Sequence, residues 1–314
     1  MAQPLIVIAG PTAVGKSEIA AGLARAVHGE VISADSMQVY RGMDIGSAKV
    51  TKEEMLGVPH HLIDTADPTE AYDAARYAEE AKAAIREISG RGRLPILCGG
   101  TGFYIQAVVR DIDFSQEGAR PQLREELWAF AQQNGDEALH ARLLAVDPEA
   151  AAAIHPHNRK RVIRAIEYFE ETGEKISVHN AREKARPTPY DLLFFYLDDG
   201  RENLYRRIDR RVDRMIEAGL VEEVQKLKDS GLTRRNSSMQ GLGYKEILAY
   251  LDGEYDLAEA VRILKRDTRH FTKRQETWFN RIPGTVRLMR GDFDNDSAQI
   301  LAEALRITKE HFHL

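Results

Sequence analysis

Short apolar runs alternate with amphipathic stretches along the first hundred residues. The runs "PLIVIAG", "GEVISAD" and "LPILCGG" have the length and composition of buried strands. Between them, "KSEIAAGLARAV" and "YDAARYAEEAKAAIREIS" repeat apolar residues at three- and four-residue spacing, which predicts helices. This alternation predicts an α/β fold with a parallel, doubly wound sheet, in which ligands bind beyond the carboxyl ends of the strands.

The middle of the chain has a different pattern. Over residues 114–189 the strand signal disappears, and "RPQLREELWAFAQQ", "GDEALHARLLAV" and "NRKRVIRAIEYFEETG" predict helices. The strand "DLLFFYLD" then resumes the sheet. Two long charged helices follow, "RENLYRRIDRRVDRMIEAGLVEEVQKLKDSG" and "LAEAVRILKRDTRHFTKRQETWFNR". The sequence therefore predicts a core of residues 1–113 and 190–314, interrupted by an all-helical insertion of residues 114–189.

Composition excludes several classes of protein. The N-terminus lacks a basic segment, and its apolar stretch of residues 5–9 is too short for a signal peptide or a membrane span, which predicts a cytoplasmic protein without membrane contact. Cys98 is the sole cysteine, which excludes disulfides within the chain and cysteine zinc sites. The formal net charge of −5 gives no global case for nucleic-acid binding.

The segment "GPTAVGKS" fits the P-loop pattern G-x-x-x-x-G-K-[ST], with the required strand before it and helix after it. Its backbone N–H groups are expected to bind a phosphate at the start of the helix, with Lys16 as a point charge and Ser17 as a Mg²⁺ ligand. The alternative is a tight turn that binds nothing. The expected phosphate-binding residues are Gly10, Pro11, Thr12, Ala13, Val14, Gly15, Lys16 and Ser17.

Polar residues also follow two other predicted strands. Asp35 follows the second strand, which we expect beside the P-loop strand, and its carboxylate can accept a proton or help to bind Mg²⁺. It can instead cap the next turn, with Ser36 beside it. Thr101, in "GGTGFY", is the one side chain of that glycine loop placed to hydrogen-bond a ligand, unless the loop is an ordinary strand-to-helix turn.

Basic residues cluster on three predicted helices. Each cluster is either a solvated face with i,i+4 ion pairs to residues such as Asp209, Asp213 and Glu217, or part of a positive surface for RNA. The aromatic residues Tyr104, Tyr244, Trp278 and Phe279 are candidates for stacking, although any one such residue more often belongs to the core. His60 and His61 are adjacent and make a poor metal site. The basic residues are Arg159, Lys160, Arg161, Arg164, Arg206, Arg207, Arg210, Arg211, Arg214, Lys273, Arg274 and Arg281.

Seven motifs together resemble one family. In order they are "GPTAVGKS", "DSMQVYRGMDIGSAK", "GVPHHLID", "GGTGFY", "HPHNRKRVIRAIE", "GLGYKE" and "KRQETWF". This series is similar to that of the bacterial tRNA dimethylallyltransferases, also called tRNA isopentenyltransferases, from about residue 5 to residue 281. Phe103 replaces a frequent leucine and Ser17 a frequent threonine. The resemblance implies a P-loop NTPase-like sheet flanked by helices, with a helical insertion that contacts tRNA.

The resemblance also implies a reaction. A dimethylallyl group would pass from dimethylallyl diphosphate to N6 of the adenosine 3′ of the anticodon, position 37 of tRNA, and the P-loop would bind the diphosphate leaving group. Asp35 would act as the base and Thr101 would orient the amine. Lys16 and Arg211, or less favourably Arg207, would stabilise the diphosphate, with Mg²⁺ as the cofactor. The expected partners are dimethylallyl diphosphate and the anticodon stem-loop, and the expected state is a monomer.

Two other interpretations of the sequence remain open. A P-loop small-molecule kinase, in which Asp35 would activate a hydroxyl for attack on ATP, is the alternative from a different chemistry. A non-catalytic tRNA-binding protein with a relic P-loop is a third interpretation, which the intact Lys16 and Ser17 disfavour.

The family resemblance also implies a set of tRNA contacts. The expected tRNA-binding residues are Asp35, Ser36, Met37, Gln38, Thr101, Arg124, Arg159, Lys160, Arg161, Arg164, Gly241, Gly243, Tyr244, Lys245, Lys273, Arg274 and Gln275.

Overall fold

A computed structural model describes residues 2–112, 114 and 121–314, and divides the chain into two compact units. The first unit consists of Met1–Val109 and Pro189–Leu314, and the second of Arg110–Thr188. The sequence places the first of these boundaries between residues 113 and 114. Residue 113 lies outside the described residues, so this boundary stays a prediction.

A parallel sheet forms the centre of the first unit. In the described part of the chain its strands lie in the order β3-β2-β4-β1-β5-β6. Val7 of β1 pairs with Leu97 of β4 on one side and with Phe194 of β5 on the other. The strands are β1 (Gln3–Ala9), β2 (Glu30–Ala34), β3 (His60–His61), β4 (Pro95–Gly99), β5 (Tyr190–Asp198) and β6 (Val286–Met289).

This strand order corrects one expectation and adds two strands. The sequence placed β2 beside the P-loop strand β1, which is wrong because β4 lies between them: Ile96 pairs with both Ile6 and Val31. The loop that carries Thr101 therefore follows the strand between the P-loop strand and the Asp35 strand. The sequence also missed β3 and β6, since runs of two and four residues are too short to show a period.

Helices cover both faces of the sheet. Alternate residues of β1 point to opposite faces, so that Leu5 and Val7 belong to one apolar core and Ile6 and Ile8 to the other. The helices are α1 (Lys16–Ala26), α2 (Ala74–Gly90), α3 (Gly102–Val109), α4 (Pro121–Asn134), α5 (Asp136–Val146), α6 (Pro148–Ala153), α7 (Arg159–Thr172), α8 (Ile176–Ala185), α9 (Arg201–Glu217), α10 (Leu220–Asp229), α11 (Tyr244–Leu251), α12 (Leu257–Phe279) and α13 (Ser297–Phe312).

The first long charged helix expected after β5 is two helices. Gly219 has a φ of 98°, a left-handed conformation that glycine adopts without strain, and it separates α9 from α10. Leu220 is then fully buried, and Glu223 in the first turn of α10 accepts hydrogen bonds from the backbone N–H groups of Ile45 (2.8 Å) and Gly46 (3.1 Å). Because α10 begins at this break, its Glu223 side chain is placed to hold the loop after β2.

The second unit consists of helices α4–α8 around its own apolar core, which includes Leu139, Leu143 and Val162. Asp147 caps α6 by accepting from the backbone N–H of Ala150 at 3.0 Å. The same carboxylate accepts from the hydroxyl of Ser177 in α8 at 2.8 Å. The sequence predicted α4, α5 and α7 but not the shorter α6 and α8, so the insertion has more helices than expected.

No helix in the described part of the chain is both long enough and apolar enough to span a membrane.

Candidate active site

The P-loop follows β1 and ends where α1 begins at Lys16. A Cβ atom at Gly10 would collide with the backbone carbonyl of Leu197, which explains the glycine. Ala13 and Gly15 have φ values of 70° and 96°, so the loop folds back on itself and its N–H groups can converge on an anion. The ammonium of Lys16 donates a hydrogen bond to the carbonyl of Pro11 at 2.8 Å.

Two arginines donate hydrogen bonds to backbone carbonyls of this loop. Arg207 Nε donates to the carbonyl of Ala13 at 2.7 Å, and Arg290 Nη1 donates to the carbonyl of Val14 at 3.2 Å. Burial lowers the pKa of Arg207, and the neighbouring Arg290 cation lowers it further. Arg290 is 3% exposed. Sequence reasoning missed Arg290 because it follows the overlooked strand β6 and belongs to no motif.

The loops after β2 and β4 are joined through Thr101. Its hydroxyl oxygen accepts from the backbone N–H of Ser36 at 3.1 Å, and its own N–H donates to the carbonyl of Ala34 at 3.1 Å. Asp35 Oδ1 accepts from the backbone N–H of Met37 at 2.8 Å. Asp35 therefore caps the turn, as the alternative interpretation held, and still presents its other carboxylate oxygen at the same edge of the sheet.

Gln275 connects the P-loop to the loop after β4. Its Oε1 accepts from the backbone N–H of Thr12 at 2.9 Å, and its Nε2 donates to the carbonyl of Gly100 at 2.9 Å. The side chain is buried. The amide therefore holds two loops at a fixed distance, and since Gln275 also lines the cavity described below, its expected contact with tRNA stays a prediction.

These loops line one cavity of about 380 Å³ in the first unit. Its polar wall includes Asp35, Thr101 and Arg211. The apolar part of its lining comes from α9 and α12 and consists of Ile208, Val212, Met215, Leu264 and Phe271. The cavity therefore combines hydrogen-bonding groups, a cation and a hydrocarbon surface.

The charged groups of the site influence one another. Burial lowers the pKa of Lys16 to about 8; Cys98 and the Asp35 carboxylate oppose this shift, and the Arg211 cation adds to it. The pKa of Arg211 is lowered by burial and raised by Asp35. Lys16, Arg211 and Asp35 thus belong to one electrostatic site. Arg211 also donates to the carbonyl of Ser47 at 3.4 Å.

Comparison with known proteins assigns the family. The family model described as "IPP transferase" matches residues 38–282. The tRNA dimethylallyltransferase of Lachnoclostridium phytofermentans is 54% identical over 308 residues, which are 98% of this chain and 98% of that protein. This chain belongs to the tRNA dimethylallyltransferase family.

Solved structures agree with this assignment. The full-length tRNA isopentenylpyrophosphate transferase of Bacillus halodurans is 46% identical, with a TM-score of 0.72 over 99% of this chain and all of that chain. A eukaryotic dimethylallyltransferase acting on tRNA is 31% identical, with a TM-score of 0.86 over 99% of this chain and 80% of that chain. Membership of this family decides against the small-molecule kinase.

The turn expected to contact tRNA before α11 is only partly accessible. Tyr244 is fully buried and its hydroxyl donates to Glu223 at 2.8 Å, so its ring belongs to the core and offers no stacking surface. Gly241 packs against Met37, since a Cβ there would lie 2.7 Å from the methionine sulfur. Lys245 lines the cavity. The expectation for the tyrosine side chain is therefore corrected, and that for Lys245 stays a prediction.

The remaining predicted contacts with tRNA lie on both units. In the first unit Arg274 lines the cavity and Lys273 is exposed, whereas Gln38 donates to the carbonyl of Ala48 at 3.2 Å.

In the second unit Arg124 forms a bidentate ion pair with Glu167 (2.7 and 2.6 Å), and Arg159 pairs with Asp136 at 2.7 Å. Lys160 and Arg161 are exposed, and the Arg164 guanidinium lies 5.9 Å from the Tyr168 ring centre.

The described residues contain no cluster of three or more His, Cys, Asp or Glu side chains that could hold a metal ion. His61 is hydrogen-bonded to Glu30 at 2.6 Å and His60 to the carbonyl of Val58 at 2.9 Å. Ser17 is exposed in the first turn of α1. A Mg²⁺ ion there would take most of its ligands from phosphate oxygens and water, as this ion commonly does.

Proposed function

We propose that this protein transfers a dimethylallyl group from dimethylallyl diphosphate to N6 of adenosine 37 in tRNA, with release of diphosphate. The observation that carries the proposal is the cavity whose lining combines Asp35, Thr101 and Arg211 with apolar side chains of α9 and α12. A prenyl donor needs an anion site for its diphosphate and a hydrocarbon surface for its tail. Both are present within one cavity.

The side chains have distinct parts in the reaction. The bond between the allylic carbon and the diphosphate oxygen breaks with its electron pair on oxygen, and Lys16, Arg211 and the P-loop amides offset that charge. The N6 lone pair of adenine forms the new C–N bond, and Asp35 takes the proton that N6 loses. Thr101 orients the amine. Mg²⁺, held through Ser17 and the diphosphate, would add further stabilisation of the leaving group.

The proposed substrate also requires a change in the RNA. Adenine stacked in an anticodon loop cannot enter a cavity, so the base must turn out of its stack. Exposed cations on α7, including Lys160 and Arg161, would bind RNA phosphates. We expect the enzyme to act as a monomer in the cytoplasm.

The test uses the purified protein with unmodified tRNA, dimethylallyl diphosphate and Mg²⁺. Nucleoside analysis by mass spectrometry should show a dimethylallyl adenosine at position 37, with one diphosphate released for each. A parallel incubation with ATP should show no ATP consumption. Binding of tRNA without consumption of either compound would identify a binding protein and contradict the proposal.

A further inference from the structure

A row of aromatic and basic side chains leads away from the cavity along α12. Phe271 and Arg274 line the cavity, and the Arg274 guanidinium lies 5.5 Å from the centre of the Phe271 ring. Trp278 lies four residues beyond Arg274 and so on the same helix face. Phe103 of α3 meets Trp278 edge-on, with ring centres 6.5 Å apart and planes at 82°. We call these four residues the aromatic row.

The aromatic row ends beside Thr101. A Cβ atom at Gly102 would lie 2.6 Å from Nε1 of Trp278, so the indole packs directly on the backbone that follows Thr101. Phe103 is the next residue and is 45% exposed. A ring with this much accessible surface therefore lies two residues from the hydroxyl that lines the cavity.

Phe103 differs from the buried aromatic residues of the first unit. Tyr244 and Phe279 are buried in the core, whereas Phe103, with Trp278 behind it, keeps a ring accessible. The exposed cations Lys273 and Arg274 lie on the same stretch of α12. Rings interleaved with cations are the combination that binds single-stranded nucleic acid, because bases stack on the rings while the cations attract phosphates. This charge complementarity favours RNA as the occupant.

We propose that Phe103, supported by Trp278, stacks on a nucleobase adjacent to the target adenosine. The inference rests on the proposed function and adds a contact to it. When the target adenine leaves the stack, its neighbour loses a stacking partner. The exposed ring of Phe103 replaces that partner and so stabilises the opened loop.

Two anticodon stem-loop RNAs test the contact, each with fluorescent 2-aminopurine on one side of the target adenosine. Stacking on the wild-type protein should quench the fluorescence of one of them. Phe103→Leu should abolish this quenching and weaken binding about 5- to 100-fold, the range for loss of one base–aromatic stack. Phe103→Trp should retain both. Leu56→Ala, at a side chain that is also 45% exposed, is the matched control and should behave as wild type.

An abasic nucleotide at the quenched position completes a double-mutant cycle. The abasic RNA should bind wild-type protein as weakly as the normal RNA binds Phe103→Leu, and the two losses should not add. Additive losses, or quenching that persists in Phe103→Leu, would overturn the stacking contact. If the wild-type protein forms no dimethylallyl adenosine in the same reaction, the proposed function fails instead, so the two failures are distinguishable.

Discussion

Three arginines beside the P-loop and the cavity differ in their hydrogen-bond partners from three arginines of the second unit. The three in the first unit donate to main-chain carbonyl oxygens, and the described residues show no ion pair for them: Arg207, Arg211 and Arg290. In the second unit, one arginine of each of α4, α7 and α8 donates to a carboxylate: Arg124, Arg159 and Arg182. A carbonyl dipole offsets the charge of the cation less than a carboxylate at hydrogen-bond distance does.

This difference separates binding residues from structural ones. Burial lowers the pKa of Arg207 and Arg211, which means that the folded protein holds these cations at a cost in free energy. An anionic ligand such as a diphosphate would offset that cost when it binds. The paired arginines of the second unit have no such unmet charge. In the sequence both groups are similar runs of basic residues on helices.

Asp35 gives the largest expected effect, because it is the one carboxylate among the described residues that line the cavity. Asparagine can still accept a hydrogen bond from N6 but cannot take the proton. Asp35→Asn should therefore bind both substrates and lose about 10²–10⁴ in the single-turnover rate. Recovery of the rate at high Mg²⁺ would identify a metal ligand instead, and a near-normal rate would remove Asp35 from the chemistry.

Arg211 and Arg182 test the comparison directly. Arg211→Ala should lower the single-turnover rate about 10²–10³-fold, since it removes one cation from the developing charge of the leaving group. Arg182→Ala, which breaks the exposed pair with Glu174, should leave the rate within about twofold and cost at most about 1 kcal/mol of stability. Equal effects of the two substitutions on the rate would show that donation to a carbonyl or to a carboxylate does not separate binding arginines from structural ones.

Lys16 links the site to pH. With a pKa of about 8, the free enzyme should lose its ammonium early, so kcat/KM should fall about tenfold per pH unit above that value. At neutral pH the protonated ammonium of Lys16 destabilises the folded state relative to the unfolded chain, because the pKa of this group is about 8 in the fold and an ordinary 10.5 in the unfolded chain. Lys16→Met should therefore raise the unfolding free energy at pH 7 by about 3 kcal/mol while impairing turnover.

Denaturant titrations at several pH values check the sign. The stability advantage of Lys16→Met should be complete below pH 8 and should shrink as the pH rises towards 10.5. Filter binding of tRNA should be nearly unchanged, since we place Lys16 against the diphosphate alone. A comparable loss of tRNA affinity would contradict that placement.

The smallest expected effect concerns the exposed cations of α7. Replacing Lys160 and Arg161 with alanine should weaken tRNA binding and reduce the slope of log affinity against log salt by about one for each RNA phosphate that the protein no longer neutralises. Arg182→Ala is again the control and should leave the slope unchanged. An unaltered slope in the double variant would mean that this face of α7 is merely solvated.

Short motifs made the P-loop, Asp35 and Thr101 predictable as a site. Each follows a strand of the same parallel sheet, and strands of a parallel sheet end at one edge, so proximity followed from the pattern alone. Gln275 and Arg290 could not be assigned in this way. Their contacts with the P-loop join residues more than 250 positions apart, and no local pattern reports such a distance.

The sequence by itself determined the α/β class, the phosphate loop and the family, because these depend on local periodicity and on motifs that are read in order. Tertiary structure decided the strand order, the break at Gly219 and the burial of Tyr244. It also decided which arginines donate to carbonyls and which to carboxylates. That property depends on the groups that long-range packing brings within hydrogen-bond distance, and a run of basic residues does not contain this information.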